Sequence, residues 1–114
     1  MIPNRIQRVN ELIKEEVSQL LLKEVDFPEK ILATVTRVET SVDLKQAKVY
    51  ISVIPEEEIS KVIKILNNKI YDIQQKLNKR LTMRIVPRIK FVEEKKTAEA
   101  ARIEELLEKI KKEN

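Results

Sequence analysis

Apolar residues near the start of the chain recur every three or four positions, with polar residues between them. This spacing is typical of an amphipathic helix with one buried face. The predicted face carries Ile6, Val9, Ile13, Val17, Leu20 and Leu21. Asn4 suits the N-cap, since its side chain accepts a hydrogen bond from a free backbone N–H of the first turn. The helix should end before Phe27-Pro28, because a residue that precedes proline avoids the helical conformation.

Two segments rich in β-branched residues follow, 31–39 and 46–54. In the second, an apolar residue stands at every other position, which predicts a strand with one buried face. The predicted inward residues are Ala47, Val49, Ile51 and Val53. In the first segment two inward sets fit equally well, the pair Thr34/Thr36 and the pair Ala33/Val35, so its facing stays open. The short polar connection between the segments predicts an antiparallel hairpin.

A second helical pattern runs from Ile59 to Leu81 without losing its phase. Pro55 and the acidic run 56–58 suit the start of a helix, where the dipole favours negative charge. A helix of about 26 residues would be roughly 39 Å long, which exceeds the ~34 Å diameter of a domain of this size. The poor helix formers Asn67 and Asn68 are the natural break. We therefore expect two helices separated by the asparagine pair.

The alternation of apolar and basic residues over 84–92 predicts a third strand. Pro87 favours an edge position in the sheet, because proline donates no ladder hydrogen bond. Phe91 shares a face with Ile85 and Ile89 and should be core. A last helix is predicted from one apolar stripe made of Ile103, Leu106, Leu107 and Ile110. The predicted order is α-β-β-α-α-β-α.

The amino-acid composition excludes several kinds of catalytic and metal-binding site. The 114 residues, 42% of them hydrophobic and 37% charged, fit one globular domain. The chain has no Cys, no His and no Gly. It therefore has no disulfide or thiolate zinc site, no imidazole general base and no glycine-rich phosphate loop. We expect no catalytic residue, no metal site, no cofactor and no small-molecule substrate. Apolar runs are too short to cross a membrane, so we expect a cytoplasmic protein.

Positive charge is concentrated in one part of the sequence. Nine basic residues and a single acid, Asp72, lie between Lys61 and Lys90, although the whole chain carries only +4. Solvation of helix faces explains any one lysine, but a cluster of one sign is typical of phosphate binding. We expect these bases to form one contiguous surface that binds RNA. The candidates are Lys64, Lys69, Lys76, Lys79, Arg80, Arg84 and Arg88, with Arg5 and Arg8 as a second group.

Specific residues along nearly the whole chain match a known family. The chain opens with Arg5-Ile6-Gln7-Arg8-Val9, and the predicted hairpin contains Ser41-Val42-Asp43-Leu44 and Ala47-Lys48-Val49-Tyr50-Ile51-Ser52-Val53. Arg80-Leu81, Arg84, Pro87, Ile89 and Phe91 keep the family's spacing, and residues 101–107 are similar to its carboxy-terminal signature. By these motifs the chain resembles the ribosome-binding factor A family.

The resemblance implies an α+β, K-homology-like (type II) fold, α-β-β-α-α-β with a three-stranded sheet, a helix-kink-helix and an added C-terminal helix. Residues 1–96 would form the RNA-binding domain and 97–114 a helical extension. The family's Ala-x-Gly kink aligns with Lys69-Ile70-Tyr71, which lacks glycine, so we expect Asn67-Asn68 to supply the kink.

The resemblance also implies a non-enzymatic factor for late maturation of the small ribosomal subunit. It would bind immature subunits near the 5′-terminal helix of their ribosomal RNA. We expect a monomer whose partners are the small subunit and its RNA, with no membrane. The alternative is a protein-interaction module that docks through its C-terminal helix. The salt dependence of binding distinguishes the two hypotheses, because RNA binding weakens steeply as salt is raised and apolar docking does not.

Overall fold

A computed structural model of the chain describes residues 4–28 and 30–95. The predicted C-terminal helix and the extension 97–114 lie outside the described residues. The first helix, α1, spans Asn4–Glu24. Its buried residues are Ile6, Val9, Ile13, Val17, Leu20 and Leu21, the face that the spacing predicts.

Strands β1 (Leu32–Thr40) and β2 (Gln46–Ile54) form the predicted antiparallel hairpin. The four alternate apolar residues of β2 are buried, as expected. The facing of β1 is decided by a bulge, since the register shifts between Val35 and Arg37 and leaves Thr36 as the extra residue. As a result Val35 and Val38, three positions apart, are both buried. Strict alternation along the sequence could not reveal this pattern.

After a 3₁₀ turn at Glu56–Glu58, helix α2 runs from Ile59 to Arg80. The expected separation into two helices at the asparagine pair is wrong, because the helix continues through both residues. Asn67 and Asn68 are exposed, and Leu66 and Ile73 on either side of them are buried in the core. Burial of the apolar stripe along the whole helix outweighs the modest cost of two asparagines, about 0.5 kcal/mol each.

Strand β3 spans Arg88–Glu93, pairs in parallel with β2 and lies at a sheet edge, in the order β1-β2-β3. The expected start at residue 84 is wrong. Gln46, the first residue of β2, pairs with Arg88, so no β2 backbone remains to pair with residues 84–87. Ile85 is accordingly 70% exposed rather than core, whereas Ile89 and Phe91 are buried.

The side chain of Gln74 on α2 fixes the start of β3. Its amide donates to the carbonyl of Pro87 at 3.1 Å, and its carbonyl accepts from the backbone N–H of Ile89 at 2.8 Å. The backbone N–H of Arg88 donates to the carbonyl of Lys45 at 2.9 Å. These hydrogen bonds connect α2, the β1–β2 turn and the third strand.

The domain has two layers, with α1 and α2 packed on one face of the sheet. The core between the layers includes Ile13, Leu20, Val49, Ile51, Leu66 and Leu77. No described helix covers the opposite face, which we call the open face of the sheet; on it lie the exposed Lys48, Arg88 and Lys90. The architecture is α+β and K-homology-like. Neither described helix combines the length and the apolar character needed to cross a membrane.

Candidate nucleic-acid interface

Two of the nine candidate residues form ion pairs between the helices. Lys76 on α2 pairs with Glu24 at the end of α1. Arg80 donates to the carboxylate of Glu16 at 3.1 Å and to the side-chain carbonyl of Gln19 at 3.2 Å. The hydrogen bond from Lys76 lowers the pKa of Glu24 below its usual value. The charges of Lys76 and Arg80 are therefore compensated within the protein.

The remaining candidates on α2 are not held in ion pairs with the described residues. Lys64, Lys69 and Lys79 are exposed, and no acidic side chain in residues 4–28 and 30–95 forms an ion pair with them. Helical geometry, at 100° per residue, places Lys64 and Lys79 only about 60° apart around the axis, on the side away from the sheet. Lys69 lies towards α1, where its charge also helps to lower the pKa of Glu24.

A groove at one end of the domain joins residues from three segments. Arg5 of α1, Lys45 of the β1–β2 turn and Arg84 of the α2–β3 loop line it together with Asp43. The pKa of Asp43 is lowered, chiefly by the hydrogen bond from the Ser41 hydroxyl at 2.6 Å. We call Arg5, Lys45 and Arg84 the groove cations. Sequence reasoning missed Lys45, whose place beside the other two depends on the pairing of the turn with β3.

Arg8 is exposed on α1 beside Glu11 and Glu15 and does not line the groove. Arg88 lies on the open face of the sheet, because its neighbour Ile89 is turned towards the helices. The expectation of one contiguous basic surface is therefore wrong. The cations of α2 and those of β3 lie on opposite sides of a two-layer domain, since both elements bury their apolar residues between the layers.

The open face also carries a polar network around Arg37. Its guanidinium lies 3.6 Å from the centre of the Tyr50 ring and pairs with Glu39 and with the nearly buried Glu94. Thr36 donates a second hydrogen bond to Glu94, at 2.8 Å. The Tyr50 hydroxyl donates to Glu39, which lowers the pKa of Glu39 and raises that of the phenol. This network engages both Glu39 and Glu94 on the open face.

No group of three or more acidic side chains among the described residues is placed to hold a metal ion. The exposed cations that form no ion pair with a described residue, such as Lys64, Lys79 and Arg88, are suited to binding phosphates.

Comparison with known proteins decides the family. The family model described as "Ribosome-binding factor A" matches residues 5–107. The chain belongs to the ribosome-binding factor A family. A member from Thermodesulfovibrio yellowstonii is 38% identical over 108 residues, which cover 95% of this chain and 92% of that one. A member from Carboxydothermus hydrogenoformans is 41% identical over 108 residues, covering 94% and 86%. The resemblance inferred from the motifs is confirmed.

Solved structures of the family share the fold. The crystal structure of ribosome-binding factor A from Thermus thermophilus superposes with a TM-score of 0.66 at 24% identity, covering 77% of this chain and 94% of that one. The solution NMR structure of a Thermotoga maritima protein described as a putative ribosome-binding factor A gives 0.55 at 27% identity, covering 81% and 90%. A homology model of the Thermus protein, fitted into a cryo-EM map of a 30S complex of that factor, gives 0.65 at 25% identity, covering 75% and 90%.

Proposed function

We propose that this chain is a non-enzymatic RNA-binding assembly factor for late maturation of the small ribosomal subunit in the cytoplasm. It binds immature subunits near the 5′-terminal helix of their ribosomal RNA. The observation that carries the proposal is the family match along residues 5–107. The Thermus member that has been fitted into a map of a 30S complex supports the choice of partner.

The arrangement of charge supports RNA backbone as the ligand. Exposed cations on α2, in the groove and on the open face reach solvent without carboxylate partners among the described residues. The chain has no glycine, so backbone cannot approach phosphate as closely as a Gly-x-x-Gly loop allows. Long cationic side chains instead read the shape and the phosphates of folded RNA.

All nine candidate residues have a role in the proposed function. Lys64, Lys69, Lys79, Arg84 and Arg88 contact phosphate directly, with Arg5 and Arg8 as the second group. Lys76 and Arg80 first hold α1 against α2 and contribute their remaining donors to RNA. Residues 1–96 act as the RNA-binding domain and 97–114 as an extension of it.

Such a factor works by differential binding. A ligand shifts an equilibrium between two RNA arrangements only by the difference in its affinity for them. The two-layer domain presents its cations on defined elements, so the RNA arrangement that places phosphates opposite them is favoured. Maturation then proceeds from that arrangement without any chemical step by the protein.

Co-sedimentation with purified immature and mature small subunits tests the proposal. We expect the protein to pellet with immature subunits, to do so much less with mature ones, and to be released as salt is raised. Equal binding to both, or to neither, contradicts the maturation role. Protection of the 5′-terminal helix from chemical probes tests the location, and unchanged reactivity there would contradict it.

A further inference from the structure

Two lysines face each other across the pairing of the central strand with β3. Lys48 of β2 is the register partner of Lys90 of β3, and both side chains are exposed. In the next outward-facing row Gln46 is paired with Arg88. Three cations thus occupy two adjacent rows of the open face.

Like charges placed directly opposite each other in a sheet are destabilising. The described acids relieve this repulsion only in part. Glu39 is the partner of Lys48 on the other side and attracts its charge, but the same carboxylate also accepts hydrogen bonds from Tyr50 and Arg37. Lys90 and Arg88 form no ion pair with any residue in the described part of the chain. The open face therefore carries a local surplus of positive charge that no ion pair among the described residues neutralises.

The neighbouring aromatic residue indicates which part of an RNA would bind here. The guanidinium of Arg37 already covers one side of the Tyr50 ring, at 3.6 Å from its centre. A nucleobase would have to displace this contact in order to stack there. The exposed ammonium groups of Lys48 and Lys90 are suited instead to the phosphate oxygens between nucleotides.

We propose that Lys48, Arg88 and Lys90 form a second phosphate-binding site for RNA, on the side of the domain opposite to the cations of α2. The site rests on the proposed function and extends it, because a protein with two opposed cationic surfaces holds two RNA segments at once. The two RNA segments would be separated by the thickness of the domain. This thickness is about 10 Å between the sheet and the helix layer plus about 5 Å for the helix radius.

The pair variant Lys48→Gln/Lys90→Gln tests the site with a 5′-end fragment of small-subunit ribosomal RNA. We expect its Kd to rise about tenfold at moderate salt. The slope of log K against log salt should become shallower by about 1.5, because two phosphate contacts are lost. Its unfolding midpoint should not fall, because the cross-strand repulsion is removed. Lys23→Gln/Lys30→Gln, which removes equal charge from exposed positions elsewhere, is the matched control and should bind as the wild type does.

Bridging is tested separately with two short RNA duplexes that carry a fluorescence donor and an acceptor. Energy transfer should appear when the wild-type protein is added and should be lost in Lys48→Gln/Lys90→Gln and in Lys64→Gln/Lys79→Gln. Wild-type affinity in the Lys48/Lys90 pair variant would overturn the site while leaving the proposed function intact. Absence of energy transfer with the wild type would overturn the bridging role. Failure of the wild type to bind any ribosomal RNA would instead overturn the proposed function.

Discussion

The guanidinium of Arg80 on α2 lies 3.1 Å from the carboxylate of Glu16 on α1, and this ion pair ties the two helices together. The side chains are only 28% and 24% exposed, so water screens the pair less than a fully exposed one. A residue selected from the sequence for its charge is thus part of the packing between helices. The distinction matters for mutagenesis, because reversing this charge affects the fold as well as any bound RNA.

Arg80→Glu should lower the free energy of unfolding by about 1–2 kcal/mol, because two carboxylates would then share a partly buried site. Urea denaturation measures the effect. Adding Glu16→Arg should recover most of the loss, since the exchanged pair restores the attraction. Lys79→Glu at the exposed neighbouring position is the control and should change stability by less than about 0.5 kcal/mol. Equal effects of the two single variants would show that the ion pair contributes nothing.

Lys64→Glu/Lys79→Glu should weaken RNA binding more than tenfold without changing the melting temperature. Both positions are exposed on α2 and form no described ion pair, so the reversal alters the surface potential and leaves the packing intact. Filter binding over a range of salt concentrations, together with circular dichroism, measures both properties. Lys23→Glu/Lys30→Glu carries the same change in charge at distant exposed positions. RNA affinity equal to that of the wild type would show that the α2 surface does not contact RNA.

Val49→Asp should unfold the domain. Val49 is fully buried on β2, and an unpaired carboxylate there costs several kcal/mol, which is comparable with the whole stability of a small domain. Gln46→Asp on the exposed side of the same strand places the same group in water and should remain folded. A cooperative thermal transition for Val49→Asp close to that of the wild type would contradict the assigned facing of β2.

Tyr50→Phe should change how stability depends on pH. The hydrogen bond from the Tyr50 hydroxyl lowers the pKa of Glu39, so its contribution is present above the ordinary value of 4.5 and is lost as the pH falls through the lowered pKa. The raised pKa of Tyr50 means that the contribution is also lost when the pH rises above the ordinary 10.0 and through the raised value.

The difference between wild type and Tyr50→Phe should therefore be largest between these limits and should vanish outside them. Because the Glu39 side chain is 56% exposed, we expect less than about 1 kcal/mol at neutral pH. Tyr71→Phe, at a tyrosine that is 72% exposed, is the control. A difference that stays the same after Glu39 has been protonated and after Tyr50 has been deprotonated would exclude the hydrogen bond as its cause.

Ending the chain after Thr97 should lower the melting temperature by several degrees. If the apolar stripe predicted for the extension 97–114 packs on the domain, its burial stabilises the fold by up to roughly 1.5–3 kcal/mol per side chain. Ending the chain after Lys111 removes only polar residues and serves as the control. An unchanged melting temperature combined with lost ribosome binding would place the stripe in the partner interface, which is the alternative function considered from the sequence.

The sequence by itself determined which segments form α1, β1 and β2, and the buried sides of α1 and β2. Periods of 3.6 and 2 residues follow from local backbone geometry, so they identified the buried face of α1 and the inward residues of β2. The missing N–H of Pro87 indicated the edge position of the third strand. The family was also readable, because its motifs are contiguous runs of residues. The continuous helical phase of α2 was also visible in the sequence. The break expected at Asn67 and Asn68 is wrong because helix length and residue propensity were given more weight than this phase.

Only the tertiary structure decided which residues lie side by side. Lys76 and Glu24 are 52 residues apart in the chain, and Arg80 and Glu16 are 64 apart. A periodic pattern shows which way a side chain points but not which element lies beside it. For the same reason the bulge at Thr36, the start of β3 at Arg88 and the opposition of Lys48 to Lys90 follow from hydrogen-bond register between strands. That register depends on how the whole core packs, which no local pattern of residues encodes.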